Sequence, residues 1–103
     1  MSVLHIVNKS PYDRKALDTC LRLAKPDSAI LLIEDGIYAS LKNAAAAAES
    51  VQQALHNHQI FALQPDLEAR GIDPDRMIAG ISLVDYDGFV NLTTEYDKSQ
   101  SWL

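Results

Sequence analysis

The chain has 103 residues and a formal net charge of −5, a length that fits one domain, residues 1–103, with a single core and no need of covalent staples. Its nine basic residues are scattered, with only Lys9, Arg14 and Lys15 near one another, which argues against a nucleic-acid surface built on clustered cations. A lone cysteine, Cys20, excludes an internal disulfide and points to a reducing compartment. No run approaches a membrane span, and no basic stretch leads into an apolar one at the N-terminus, so the expected location is the cytoplasm.

Val3 to Val7 is a short apolar run interrupted by His5 and closed by Asn8-Lys9-Ser10-Pro11, which reads as a buried first strand and a turn. Asp13 is placed to cap a helix running to about Ala24. Leu17, Cys20, Leu21 and Ala24 share one face of it, and Pro26-Asp27 ends it. Ala29 to Ile33 is a continuous aliphatic run, the pattern of a strand covered on both faces. Ile37 to about Leu55 carries helical spacing and five consecutive alanines, Ala44 to Ala48, with a possible break at Lys42-Asn43.

Beyond the polar turn His56-Asn57-His58, Ile60 to Leu63 reads as a third strand. Gln64-Pro65-Asp66 starts a short helix, with proline suited to its first position, and Gly71 is placed to end it in the left-handed conformation. A fourth strand lies within Ile78 to Val84. Asp85 opens a last helix in which Phe89, Leu92, Thr93 and Tyr96 share one face. Lys98 to Leu103 reads as a polar tail carrying Trp102. The alternation of strands and helices predicts an α/β fold, a three-layer α/β/α sandwich with a mainly parallel sheet.

In such sheets ligands gather at the carboxyl ends of strands. Those ends carry Asn8, Lys9 and Ser10, then Glu34 and Asp35, then Gln64 and Asp66, then Asp85 and Tyr86. A receiver-like site using Asp35 and Asp85 is conceivable, but the first strand ends without an acid, and caps and turns account for these residues better. The four glycines are isolated, so neither the dinucleotide fingerprint nor the phosphate-binding loop can be built; no cofactor is expected. His56 and His58 lack a third ligand nearby in sequence, and His5 reads as a hydrogen-bonded core residue, so no metal is expected.

Cys20 is the one evident nucleophile. Its thiolate could carry a sulfane sulfur as a persulfide, by the logic of thiol exchange, provided its pKa is lowered. Yet it lies roughly 10 Å along the helix from Asp13 at 1.5 Å per residue, beyond the reach of the helix dipole, and on the apolar face. Packed and reactive roles both stay open. Trp102 is suited either to fold back onto its own domain or to anchor in a partner.

Several blocks together resemble the DsrH/TusB family nearly end to end. They are Leu4-His5 with Ser10-Pro11; Leu31, Leu32, Asp35 and Gly36; Ala62, Leu63, Asp66, Leu67, Ala69, Arg70 and Gly71; Leu83, Asp85, Tyr86, Phe89, Val90, Leu92 and Thr93; and Gln100 with Trp102. The alanine-rich stretch departs from that pattern. The resemblance implies a DsrE-like fold and a heterohexameric sulfur-relay complex with DsrE/TusD-type and DsrF/TusC-type subunits. It further implies a sulfurtransferase assembly whose main carrier cysteine lies on the DsrE/TusD-type partner, with a DsrC/TusE-type protein as acceptor. Two pathways use such complexes, thiolation of the tRNA wobble uridine and oxidative sulfur metabolism. Cys20 resembles a helix cysteine of the DsrH branch, which favours oxidation and makes Cys20 the candidate persulfide carrier. The alternatives are a TusB-type subunit or a non-catalytic docking subunit. Direct nucleic-acid binding and membrane association by this chain are not expected.

Overall fold

The computed structural model describes residues 2–10, 16–26, 28–43 and 46–102, with the backbone alone for residues 16, 46 and 47. The expected cap at Asp13 and stop at Asp27 lie outside the described residues, as does Leu103. Five strands form one sheet: β1 (Val3–Val7), β2 (Ala29–Leu32), β3 (Gln59–Leu63), β4 (Ser82–Val84) and β5 (Lys98–Trp102). Their order is β4-β3-β2-β1-β5, and every pairing is parallel. Four helices connect them: α1 (Ala16–Leu23), α2 (Ala46–Ala54), α3 (Gln64–Ala69) and α4 (Tyr86–Glu95).

The two sheet faces follow from strand parity, since successive side chains point to opposite sides. Val7, Ile30, Leu32, Ile60 and Ala62 face Leu17 and Cys20 of α1, Val51 of α2 and Leu67 of α3 in one large core. Leu4, Ile6, Ala29 and Leu31 face Leu92 of α4 in a smaller one, joined by half-buried Phe89 and Tyr96. The chain steps from β1 to β4 in one direction with its helices on one face. It then returns to β5 through α4 on the other, as right-handed crossovers require. This is the expected α/β/α sandwich, with every strand parallel.

Two local expectations are corrected. The long helix from Ile37 is interrupted: Glu34–Ser40 form a 3-10 helix, and α2 begins only at Ala46. The cause is a competing set of backbone bonds. Leu41 bridges Met77 in antiparallel fashion, and the Lys42 amide donates to the Arg76 carbonyl at 2.9 Å, so this segment cannot continue a helix. The same contacts set where the fourth strand falls within the expected Ile78–Val84 span. Ile78 donates to the Ser40 carbonyl at 2.7 Å, and Gly80 turns the chain at φ +102°, leaving only Ser82–Val84 to pair with β3. Thr93 is exposed, its hydroxyl donating to the Val90 carbonyl at 2.7 Å.

The largest correction is the tail. Lys98–Trp102 form an edge strand paired with β1 from Val3↔Lys98 to Val7↔Trp102. Its first four residues are exposed, so no apolar run announces it.

Candidate functional site

The carboxyl ends of β1, β2 and β3 form a tightly specified rim. Gly36 approaches β1 so closely that a Cβ would lie 2.1 Å from the Val7 carbonyl oxygen; no other residue fits. This approach holds the turn after β2 against β1, where the Ile33 amide donates to the same carbonyl at 3.0 Å. Glu34, one residue beyond, has φ +50°, a left-handed conformation costing about 1–2 kcal/mol for a side chain with a Cβ. Asp66, at the start of α3, compensates by accepting from the Glu34 amide at 2.7 Å. Arg70 clasps the same turn with Nη2 2.9 Å from the Asp35 carboxylate and Nη1 3.2 Å from the Asp66 carbonyl.

Asn8 completes the rim. Its Oδ1 is buried with no hydrogen-bond partner among the described residues. Strained backbone and an orphaned polar atom are features that gather at functional sites.

The sequence-predicted residues do not meet there. Asp35 is engaged by Arg70, and Asp85 caps α4, accepting from the Gly88 amide at 2.8 Å. The pair needed for a receiver-like site is thus already committed. Among the described residues, no group of three or more metal-ligating side chains comes together. His56 is exposed, and His58 Nδ1 lies 3.2 Å from the Ser28 carbonyl.

Cys20 sits apart from the rim, fully buried in the larger core. Burial pushes its thiol up to about 12. The neutral thiol is thereby favoured, and the thiolate is the nucleophile. Trp102 closes the sheet edge beside this core. Its indole N–H donates to His5 Nδ1 at 3.0 Å, so of the two roles open to it, Trp102 takes the intramolecular one. His5 is buried and hydrogen-bonded as expected; burial first, and then the charge of His58, hold its pKa below the usual 6.5.

One feature escaped sequence reasoning. The outer face of α4 presents Tyr86 and Val90, 59% and 60% exposed, one turn apart. Beside it, Phe61, Val84 and Ile33 remain only half-buried on the sheet face that α4 alone covers. The helical spacing of Tyr86 and Val90 was visible, but whether that stripe faced the core depended on which side of α4 met the sheet.

A five-stranded parallel sheet with helices on both faces defines a small α/β domain of the doubly wound class. The comparisons with known proteins sharpen that class. The profile of the family described as DsrH like protein matches residues 9–99. Protein TusB of Pectobacterium parmentieri is 33% identical over 100 residues, covering 97% of this chain and all of that protein. Protein TusB of Yersinia pestis (strain Pestoides F) is 34% identical over 101 residues, with the same coverage. Among solved structures, the ychN protein from E. coli superposes with a TM-score of 0.80 at 20% identity, covering 99% of both chains. A protein of unknown function from Methanobacterium thermoautotrophicum gives 0.71 at 19%, covering 94% of this chain and 95% of that one. The chain belongs to the DsrH-like family, and the solved structures bear out its fold.

Proposed function

We propose that this protein is a TusB-type subunit of a sulfur-relay complex, serving assembly and acceptor docking while partner chains carry the sulfur. The observation that carries the docking role is Cys20, buried at 0% exposure with its thiol raised to about 12. A persulfide carrier must present a thiolate to its donor and acceptor. This thiol could do so only after α1 moved off the sheet. Near-full-length identity to TusB proteins supports thiolation of the tRNA wobble uridine as the end use. The expected partners are TusD/DsrE-type and TusC/DsrF-type subunits, with a TusE/DsrC-type acceptor, in a cytoplasmic heterohexamer. The exposed Tyr86 and Val90 stripe supports a subunit contact through α4. The acidic balance supports tRNA being handled by other chains.

A second reading, oxidative sulfur metabolism with Cys20 as a transient carrier, draws on that same cysteine, which resembles the DsrH branch. The two readings separate by mass and by tRNA. The purified complex is exposed to a sulfane-sulfur donor and its subunits are weighed intact, with Cys20→Ala as control. Alanine is preferable to serine because a hydroxyl in this apolar site would be left unpaired, costing about 1–3 kcal/mol. Sulfur on a partner alone, with 2-thiouridine lost from tRNA when this subunit is deleted and restored by Cys20→Ala, is the expected result. A gain of 32 mass units on this chain that Cys20→Ala abolishes would overturn the docking role. Unchanged 2-thiouridine after deletion would overturn the tRNA pathway.

A further inference from the structure

α4 carries a wider apolar arc than its own sheet covers. At roughly 100° per residue, Leu92, Tyr96, Phe89, Thr93, Tyr86 and Val90 follow one another around about 160° of the helix, where a stripe facing one core needs about 100°. The fold uses the first part of that arc, since Leu92, Phe89 and Tyr96 pack with Leu4, Ile6 and Leu31. The rest, Tyr86 and Val90 with Thr93 beside them, stands in solvent as one stripe of helical neighbours. Five strands at about 4.8 Å spacing span about 19 Å between the outer two. One helix is about 10 Å across, so this face has room for a second helix beside α4.

The charge around the stripe has one sign. Asp85, Asp87, Glu95 and Asp97 are exposed, and no lysine or arginine occurs between Arg76 and Lys98. None of the four has a cationic partner among the described residues. Local structure accounts for three. Asp85 caps α4, and Asp87 stands in the first turn, where the helix dipole favours an anion. Asp97 accepts from the Ser2 amide at 3.1 Å. Glu95 ends the helix, where the same dipole opposes it. Asp87 follows Val90 around the helix by about 60° and so borders the stripe.

These features select among occupants. An isologous contact sets one patch against itself, so α4 on α4 would double the anionic charge with no cation to offset it, and such like-charge contacts are suppressed. An added strand needs unpaired backbone groups to bond, which the side of a helix does not offer. A helix satisfies its own backbone and packs its ridges into those of α4.

We infer that the α4 stripe seats an amphipathic helix of a different chain, whose apolar residues cover Tyr86 and Val90 and whose flanking lysines or arginines meet Asp87 within the field of the other three carboxylates. This contact rests on the relay reading, which supplies the complex; the apolar arc and the charge specify what the partner presents there.

The test uses the complex of this chain with its relay partners. A photo-cross-linking benzoylphenylalanine replaces Thr94, on the border of the stripe, and the irradiated products are mapped by mass spectrometry. The expected product joins position 94 to a helix of another subunit that carries lysine or arginine within a turn of the joined residue. In parallel, partner binding is measured at about 50 mM and about 300 mM sodium chloride, either side of physiological screening. An Asp87→Lys/Glu95→Lys variant should bind at least about tenfold more weakly at the lower salt, with the gap narrowing at the higher, as a charge effect must. The two changes act oppositely on the helix dipole, and melting curves verify that the variant folds. A cross-link to a second copy of this chain would overturn the contact, as would no cross-link within an assembled complex or equal binding by the double variant. Wild-type protein that assembles with neither partner would overturn the relay reading, and the contact with it.

Discussion

The two faces of the sheet are built to different standards. On one, α1, α2 and α3 close over Val7, Ile30, Leu32 and Ile60, none more than 2% exposed. On the other, α4 alone covers Leu4, Ile6 and Leu31 and leaves Ile33, Phe61 and Val84 half-open beside an exposed Tyr86 and Val90. Both faces descend from equally apolar strands. The difference lies in how much helix the chain returns to each, and it separates a closed face from one left partly open. Cys20 lies in the closed face, and burial there raises its thiol pKa.

The sharpest way to break this comparison is to remove the same kind of bulk from both faces. Ile30→Ala, in the closed core, should cost about 2–5 kcal/mol through lost burial and a residual cavity. Val84→Ala, half-buried on the open face, should cost about 1 kcal/mol or less. Chemical denaturation of both variants checks this; equal losses would mean the open face is as well packed as the closed one.

The next effect concerns association. Tyr86→Ser with Val90→Ser should leave the chain's own stability within about 0.5 kcal/mol, as surface changes do. It should weaken assembly with the partner subunits by about 2 kcal/mol or more, roughly thirtyfold, if the stripe is an interface hot spot. Co-elution at graded concentrations reads the second quantity and thermal melting the first. Unimpaired assembly would leave the α4 patch unexplained by subunit docking.

The sequence was most legible where a residue's role is settled locally. Asp85 caps α4, Gly71 ends α3 at φ +66°, and Val3–Val7 and Ala29–Leu32 form the central strands because their apolar runs permit little else. It was least legible where distant backbone decides. The break after Ser40 depends on Arg76, Met77 and Ile78, and β5 exists only because β1 offers it an edge. Its residues are exposed, so burial leaves no mark on their composition. The candidate rim was half-legible. Its residues were named at the strand ends, but the left-handed Glu34 and its Asp66 tether needed coordinates. The family resemblance, carried by blocks of spaced residues, reached further than periodicity did.

Smaller effects test the edge strand. Trp102→Phe removes the indole donor to His5 and should cost about 1 kcal/mol, the usual net worth of such a bond. The pH dependence has a definite sign. His5 is held below its ordinary pKa of 6.5, chiefly by burial, so below that pH the unfolded chain binds the proton more readily than the folded one. The stability this group contributes is fully present above pH 6.5. It is lost as pH falls from 6.5 toward the lowered folded value. His5→Gln, which cannot titrate, should lose less between pH 6.5 and 5 than the wild type. Parallel melting curves for the two proteins would show that the buried imidazole does not govern the acid limb.

The smallest effect separates two anchors of the strained turn. The Asp35–Arg70 pair is largely solvated on the aspartate side, at 55% exposure, so Coulomb attraction there is screened and worth about 1 kcal/mol at most. Asp66, by contrast, takes a hydrogen bond from the amide of the left-handed Glu34 itself. Arg70→Gln should therefore shift stability by less than about 1 kcal/mol, with the difference fading in 0.5 M salt. Asp66→Ala should cost more, because it removes a side-chain hydrogen bond to a backbone that is unfavourable by about 1–2 kcal/mol. If Arg70→Gln proved the costlier of the two, the rim would be held electrostatically from α3, and the turn after β2 would owe its shape to charge rather than to the carboxylate–amide bond.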